Sequence, residues 1–238
     1  MILALDTVFE HCSVALVNVD GSLIGEQTAT GNRQQTQQIL PMIAQLLRQN
    51  SINFDHLTAI AFNRGPGAFS GIRIDAAVAQ ALAFAHDLPC LPVSSLQAVA
   101  QKALYQNRLS DWDNRCYAAI DARMNQVYLG EFVAEAVTDP SLQANVPYIM
   151  NAKADERLED YGYQTPDEFP IVGDGGQFLT VKDKQKAFMD DESSRPTASI
   201  IGQLGAVMLA QGKQVTAQNA LPVYLRHHAW KTLAEQGK

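Results

Sequence analysis

The chain has 238 residues, of which 47% are hydrophobic and 18% charged, with a formal net charge of −7 and a pI of about 5.2. That length suits one large domain or two of about 110 residues, each able to bury a core. The composition excludes a disordered chain. The acidic balance argues against a protein that grips nucleic acid unaided, since phosphate contacts call for a basic footprint.

Cys12, Cys90 and Cys116 are widely spaced, odd in number and form no CxxC pair, so neither a disulfide framework nor a zinc site is expected. A reducing, cytoplasmic setting fits best. The N-terminal MILALDT has no basic region ahead of its apolar residues, unlike a signal peptide, and the Ala-rich run from Ala76 to Ala85 is too short to span a bilayer.

Ile2 to Thr7 (ILALDT) reads as a buried first strand ending in an acid. Ser13 to Asp20 and Leu23 to Thr30 flank Asp20-Gly21-Ser22, a hairpin signal. From Gln34 the period becomes helical, with Ile39, Leu40, Ile43, Leu46 and Leu47 in a stripe. Pro41 falls inside that stripe and predicts a kink or a frayed first turn. A strand over Ala59 to Phe62, a glycine loop, a helix from about Ser70 to His86 and a strand over Cys90 to Val93 come next. Ser94 and Gln97 then read as a capping box opening another helix. The order is βββαβαβα.

Leu109 to Arg115 is polar and aperiodic, and marks a boundary between residues 1–110 and 111–238. The opening then recurs in weaker form: CYAAID (Cys116 to Asp121) echoes ILALD, with Gln126 to Glu135 as its hairpin partner. Ala136 to Phe169 reads as irregular with at most one short helix. Ile171 to Gln177 is a strand entering a glycine turn, and Thr197 can cap a helix carrying Ile200, Ile201, Leu204, Val207 and Met208. The fold class is therefore α/β, built from a duplicated unit.

The loop AFNRGPGAFSGIR (Ala61 to Arg73) resembles a phosphate cradle but lacks the Gly-Lys-Ser/Thr ending of a P-loop, and it is not GxGxxG. It reads first as a sharp turn, with Pro66 fixing φ between two glycines. Weak anion contact by Arg64 and Arg73 near a helix N-terminus is the competing reading. The helix after it is apolar almost all round, with Gln80 the polar interruption, so it must be covered on two sides. Either it is sandwiched within one domain, or a partner protein covers the side that the sheet does not.

Asp6 and Asp121, each ending the first strand of its half, are placed to face a nucleotide–metal site, and Gly173-Asp174-Gly175-Gly176 could touch an adenosine. Bulky Arg123 and Met124 after Asp121 argue against close approach to a phosphate. His11, His56, His86, His227 and His228 contain no i, i+4 pair, so no metal site is expected, and His227-His228 reads as a solvated basic surface. No Gly-x-Ser-x-Gly elbow is present. No catalytic residue and no cofactor are assigned.

ILALDT…CSVAL, NRGPGAFSGIRI, AAIDARMNQVY and PVYLR, in this order, closely resemble the TsaB (YeaZ) family over Met1 to about Trp230. The resemblance implies an actin-like ASKHA (ribonuclease H-like) fold of two related βββαβαβα domains. It also implies a place in tRNA threonylcarbamoyladenosine formation, in which the paralogue TsaD carries the chemistry with a His-x-x-x-His metal site that this sequence lacks. The implied partners are TsaD as heterodimer, the ATPase TsaE in a larger complex, and a second copy as homodimer, with tRNA reached only through the complex. The family pairs through two helices of its first domain. These map here onto Ile39, Ile43, Leu46 and Leu47 of one helix and Ile74, Ala77, Gln80, Ala81 and Phe84 of the next. A stand-alone ATP-dependent phosphotransferase of the same fold, or a peptidase, remains the alternative.

Overall fold

The short apolar runs become two sheets in the computed structural model, which describes residues 1–9, 11–30, 34–166, 169–180, 188–189 and 195–226. β1 (Ile2–Asp6), β2 (His11–Val17) and β3 (Leu23–Thr30) form an antiparallel meander. There follow α1 (Gln35–Gln49), β4 (Ala59–Gly65), α2 (Phe69–Ala85), β5 (Cys90–Ser94) and α3 (Ser95–Tyr105). This is the order read from the sequence. Strands β4 and β5 add in parallel to β1, and the sheet runs β3-β2-β1-β4-β5. Helix α1 continues through Pro41, which lies on its exposed side, as far as Gln49.

β1 and β2 are buried at every position because both faces of this sheet are covered. Alternate residues point to opposite faces. Leu3, Leu5, Val14 and Phe62 pack with α1 and α2, whereas Ile2, Ala4, Ala15 and Val17 pack with Ile201, Leu204 and Val207 of a helix from the far end of the chain.

The second sheet begins with β6 (Arg115–Arg123) and β7 (Gln126–Ala136), the hairpin expected after the boundary. The stretch read as irregular supplies two more strands, β8 (Tyr148–Ala152) and β9 (Arg157–Asp160), both antiparallel to β7. β10 (Ile171–Val172) joins β6 in parallel and β11 (Phe188–Met189) joins β10. The last long helix is α4 (Ala198–Ala210).

The helices are exchanged between the halves. α3, from the first half of the chain, lays Leu96, Val99, Ala100 and Ala103 on Cys116, Ala118 and Ile120 of the second sheet. α4, from the second half, lies on the first sheet. The caps reflect this crossing. Ser94 accepts from Gln97 N as expected, at 3.3 Å, but the Gln97 side chain donates to Met150 O at 2.9 Å and does not close the box. Thr197 makes no cap bond; Ser13 Oγ and Glu26 Oε1, both from the first sheet, accept from the Ala198 and Ser199 amides at 3.1 and 2.8 Å. A helix start that looks local is held by strands far away in sequence.

Candidate functional site

The glycine loop leaves β4 at Gly65 (φ 91°) and enters α2 at Phe69. A Cβ on Gly67 would collide with Val8 Cγ1, and one on Gly71 with the Thr7 carbonyl. The glycines thus make room for the protein's own chain, the Val8 side chain at Gly67 and the Thr7 backbone at Gly71, which is the turn reading of this loop. Asn63 locks the turn. Its Oδ1 accepts from Gly65 N at 3.0 Å and from Ser95 Oγ at 2.6 Å, while its Nδ2 donates to Asp6 Oδ1 at 3.1 Å.

Beneath the loop lies a buried polar cluster. Asp6 Oδ1 also accepts from Val8 N at 3.0 Å. Asp75, fully buried on α2, accepts from Thr7 N through Oδ2 and meets Thr7 Oγ1 through Oδ1, both at 3.0 Å. Burial first, and then the charge on Asp6, push the Asp75 carboxyl well above the usual range. His11 Nε2 stands 3.6 Å from Asp6 Oδ2, a charge contact rather than a hydrogen bond. Burial lowers the His11 pKa, but the Asp6 carboxylate outweighs it and the net direction is upward. Cys12, buried in the neighbourhood of Asp75 and Asp6, is pushed up to about 12, mainly by burial.

The second acid is used in the same inward way. Asp121 Oδ1 accepts from Arg123 N and Tyr161 Oη, both at 2.8 Å, and Oδ2 pairs with Arg123 Nη1 at 3.0 Å. In the glycine turn, Gly175 N donates to Ala119 O at 3.0 Å and Gly176 N to Gly173 O at 3.2 Å. Asp6 Oδ1, Asp121 and the glycine turn, the groups considered for a nucleotide, are therefore bonded to the chain itself. Among the described residues no cluster of three or more His, Cys, Asp or Glu could hold a metal. His227 and His228 lie outside them.

Arg64 and Arg73, the suggested anion contacts, are also partnered. Arg64 Nη2 bonds Glu156 Oε2 at 3.3 Å, and Ser94 Oγ bonds the other oxygen of Glu156, so this group ties the two halves together. Arg73 stacks on Phe69 at 3.5 Å and donates to Tyr224 Oη at 2.8 Å. The segment carrying Tyr224 straps across both halves. Val223 N donates to Arg64 O at 2.8 Å, and Arg226 donates to Ala122 O, Arg123 O and Gln126 Oε1. Between strap, loop and second sheet is a cavity of about 420 Å³ with an apolar floor.

The two helices of the first half turn different surfaces outward. Ile39, Ile43, Leu46 and Leu47 are buried, so the stripe expected at an interface is the core face of α1, as an amphipathic helix requires. Outward on α1 stand Leu40, Pro41 and Ala44, flanked by the polar Thr36, Gln37, Gln45, Arg48 and Gln49. On α2 the reading separates differently: Ala77, Ala81 and Phe84 are exposed, Ile74 and Gln80 half-buried, and Ala76, Ala79 and Ala83 face the sheet. Phe84 is 77% exposed and Leu40 53%.

A family model described as TsaD, tRNA N6-adenosine threonylcarbamoyltransferase, matches residues 23–221. The tRNA threonylcarbamoyladenosine biosynthesis protein TsaB of Escherichia coli is 36% identical over 98% of this chain and 97% of its own length. The chain belongs to the TsaB family. The TsaB protein of Haemophilus influenzae is 34% identical over 98% of this chain and 96% of its own. The solved structure of YeaZ from Pseudomonas aeruginosa superposes with a TM-score of 0.77 at 34% identity, covering 94% of this chain and 99% of that one. The α/β architecture is thus that of the actin-like ASKHA fold. Among the described residues no helix is long and apolar enough to cross a membrane.

Sequence reasoning did not find Asp75, Glu156 or Tyr224. Asp75 had a signal, a lone acid at the start of an alanine-rich helix. Glu156 had none, because it acts across the halves; Tyr224 stands in PVYLR, a stretch that carries the resemblance, but nothing local ties it to Arg73.

Proposed function

We propose that this protein is a non-catalytic, cytoplasmic subunit of the machinery that forms threonylcarbamoyladenosine in tRNA, where it binds and supports TsaD together with TsaE. Alone it forms a homodimer, and it reaches tRNA only through the complex. The observation that carries this reading is the outward side of α2, where Ala77, Ala81 and Phe84 are exposed in the run Ala76 to Ala85, whose polar residue is Gln80. Small side chains allow a second helix to approach closely, and an exposed Phe supplies an anchor of the kind that dominates interfaces. The buried residues Ile39, Ile43, Leu46 and Leu47 hold α1 on the sheet next to α2 and so shape that surface from below. The inward use of Asp6 and Asp121 supports a supporting rather than a catalytic role.

The test is reconstitution. TsaD, TsaE and tRNA are assayed for modification with and without this chain, and the chain is scored for co-purification with TsaD. Modification that depends on this chain, through a complex that also forms, is the expected result. Full modification without it, or a chain that modifies tRNA alone, overturns the reading.

A further inference from the structure

The cavity between strap and second sheet has no part in the partner surface just described, and its chemistry points to a ligand. Its floor is apolar: Phe9, Ile72 and Ile120 line it and are each no more than 9% exposed. Its rim carries Phe69, Met124 and Tyr224, which are 50%, 71% and 41% exposed. A volume of about 420 Å³ lies within the range of small-molecule sites.

Charge narrows the class. Three arginines, Arg123, Arg195 and Arg226, line the cavity against two aspartates, Asp121 and Asp174. Arg123 is paired with Asp121. The bonds of Arg226 run to neutral acceptors, two carbonyls, an amide oxygen and the Met124 sulfur, so they satisfy its donors without cancelling its charge. α2 begins at the cavity wall with no side-chain cap at Ala68, leaving the positive end of a 17-residue helix directed there. A polyphosphate is disfavoured, because the amides of Thr7 and Val8 are bound to Asp75 and Asp6, and Arg226 with one helix end does not balance several negative charges.

We infer that this cavity binds a small aromatic monoanion, with its rings on the Phe9–Ile72–Ile120 floor and its charge toward Arg226 and the start of α2. Ring burial supplies most of the binding, and the charge selects anion over neutral analogue.

Anilinonaphthalene sulfonate, an aromatic monoanion, is the probe, titrated into the full chain by fluorescence and calorimetry. One molecule per chain should bind saturably, with neutral phenylnaphthylamine about tenfold weaker. Ala68→Trp, which fills the mouth of the cavity, should weaken binding at least about tenfold at unchanged melting temperature. Met124→Trp makes the same test at an exposed position should Ala68→Trp fail to fold. Phe84→Glu, on the outer face of α2, should leave binding unchanged. Binding that survives in the folded Trp variant, binding lost in Phe84→Glu, equal affinity for the neutral analogue, or no saturable binding each overturns the inference.

Discussion

Asp75 and Thr7 lie 68 residues apart, yet both carboxylate oxygens of Asp75 meet Thr7, at 3.0 Å from its amide and 3.0 Å from its hydroxyl. The hydroxyl also bonds Gly71 O at 2.8 Å. One hydroxyl proton cannot serve two acceptors. A protonated Asp75 resolves this, donating to Thr7 Oγ1, which then donates to Gly71. The upward-shifted carboxyl agrees with that arrangement. The start of α2 is thereby fastened to the end of β1.

Asp75→Asn should preserve this fastening, since the amide can accept from Thr7 N and donate to Thr7 Oγ1. Its stability at neutral pH should equal or exceed that of the unmodified chain. Asp75→Ala leaves the buried Thr7 amide without its partner and should cost about 1–3 kcal/mol, with a cavity contribution in addition. Urea unfolding of both variants measures the difference. Equal losses in the two would refute the protonated-acid assignment.

The same cluster sets a pH dependence. Asp75 has a raised folded pKa, so the folded chain holds a proton that the unfolded chain releases above about pH 4. Its contribution is complete below that pH and declines as pH rises toward the folded value. His11 is also raised, by Asp6 against the opposing effects of burial and Arg195, with Glu26 adding to the rise. Its contribution is complete below about pH 6.5 and is lost as pH rises through the folded value. The two slopes share a sign. Unfolding free energy measured at several pH values from about 5 to 8 should fall as pH rises, and His11→Gln with Asp75→Asn should flatten the curve. An unaltered slope in the double variant is the contrary result.

What was legible in the sequence follows from the range of the forces involved. Strands β1 to β5 and helices α1 to α4 announce themselves through period and punctuation, which are local properties. β8 and β9 do not, because MNA and LED mix polar residues into runs of only five and four. Periodicity identified the apolar stripe of Ile39, Ile43, Leu46 and Leu47 but not what it packs against, and the answer is the chain's own sheet. Likewise nothing local in α3 or α4 says that each lies on the sheet of the other half. The glycine loop was read as a turn from its residues alone, although the reason, Val8 and Thr7 pressed against it, required the fold.

Glu156 should act as a tie between the halves. It meets Arg64 at 3.3 Å and also bonds Ser94, with side chains 11% and 26% exposed for Glu156 and Arg64. Glu156→Gln keeps a hydrogen-bonding group but removes the charge, and partial exposure limits its cost to about 1 kcal/mol. Glu156→Ala should cost more and should speed amide exchange in β9 and at Arg64–Gly65. Exchange confined to β9 would show that the tie does not span the halves.

The outer face of α2 permits the sharpest test of the proposed partner surface. Ala77 and Ala81 are exposed one turn apart, with Phe84 beyond them, whereas Ala79 on the opposite side is fully buried. Charges at exposed helix positions usually change monomer stability by no more than about 0.5 kcal/mol. The same charge buried unpaired in a contact costs about 3–5 kcal/mol, enough to dissolve a typical interface. Ala77→Glu and Ala81→Arg should therefore fold, with melting temperatures near that of the unmodified chain, but lose self-association in sedimentation and capture of TsaD. Ala79→Glu should fail to fold, since it forces a carboxylate between α2 and the sheet. If the two exposed variants fold and still pair with themselves and with TsaD, the partner surface lies elsewhere. If they unfold as Ala79→Glu does, that face of α2 belongs to the core of the monomer in solution.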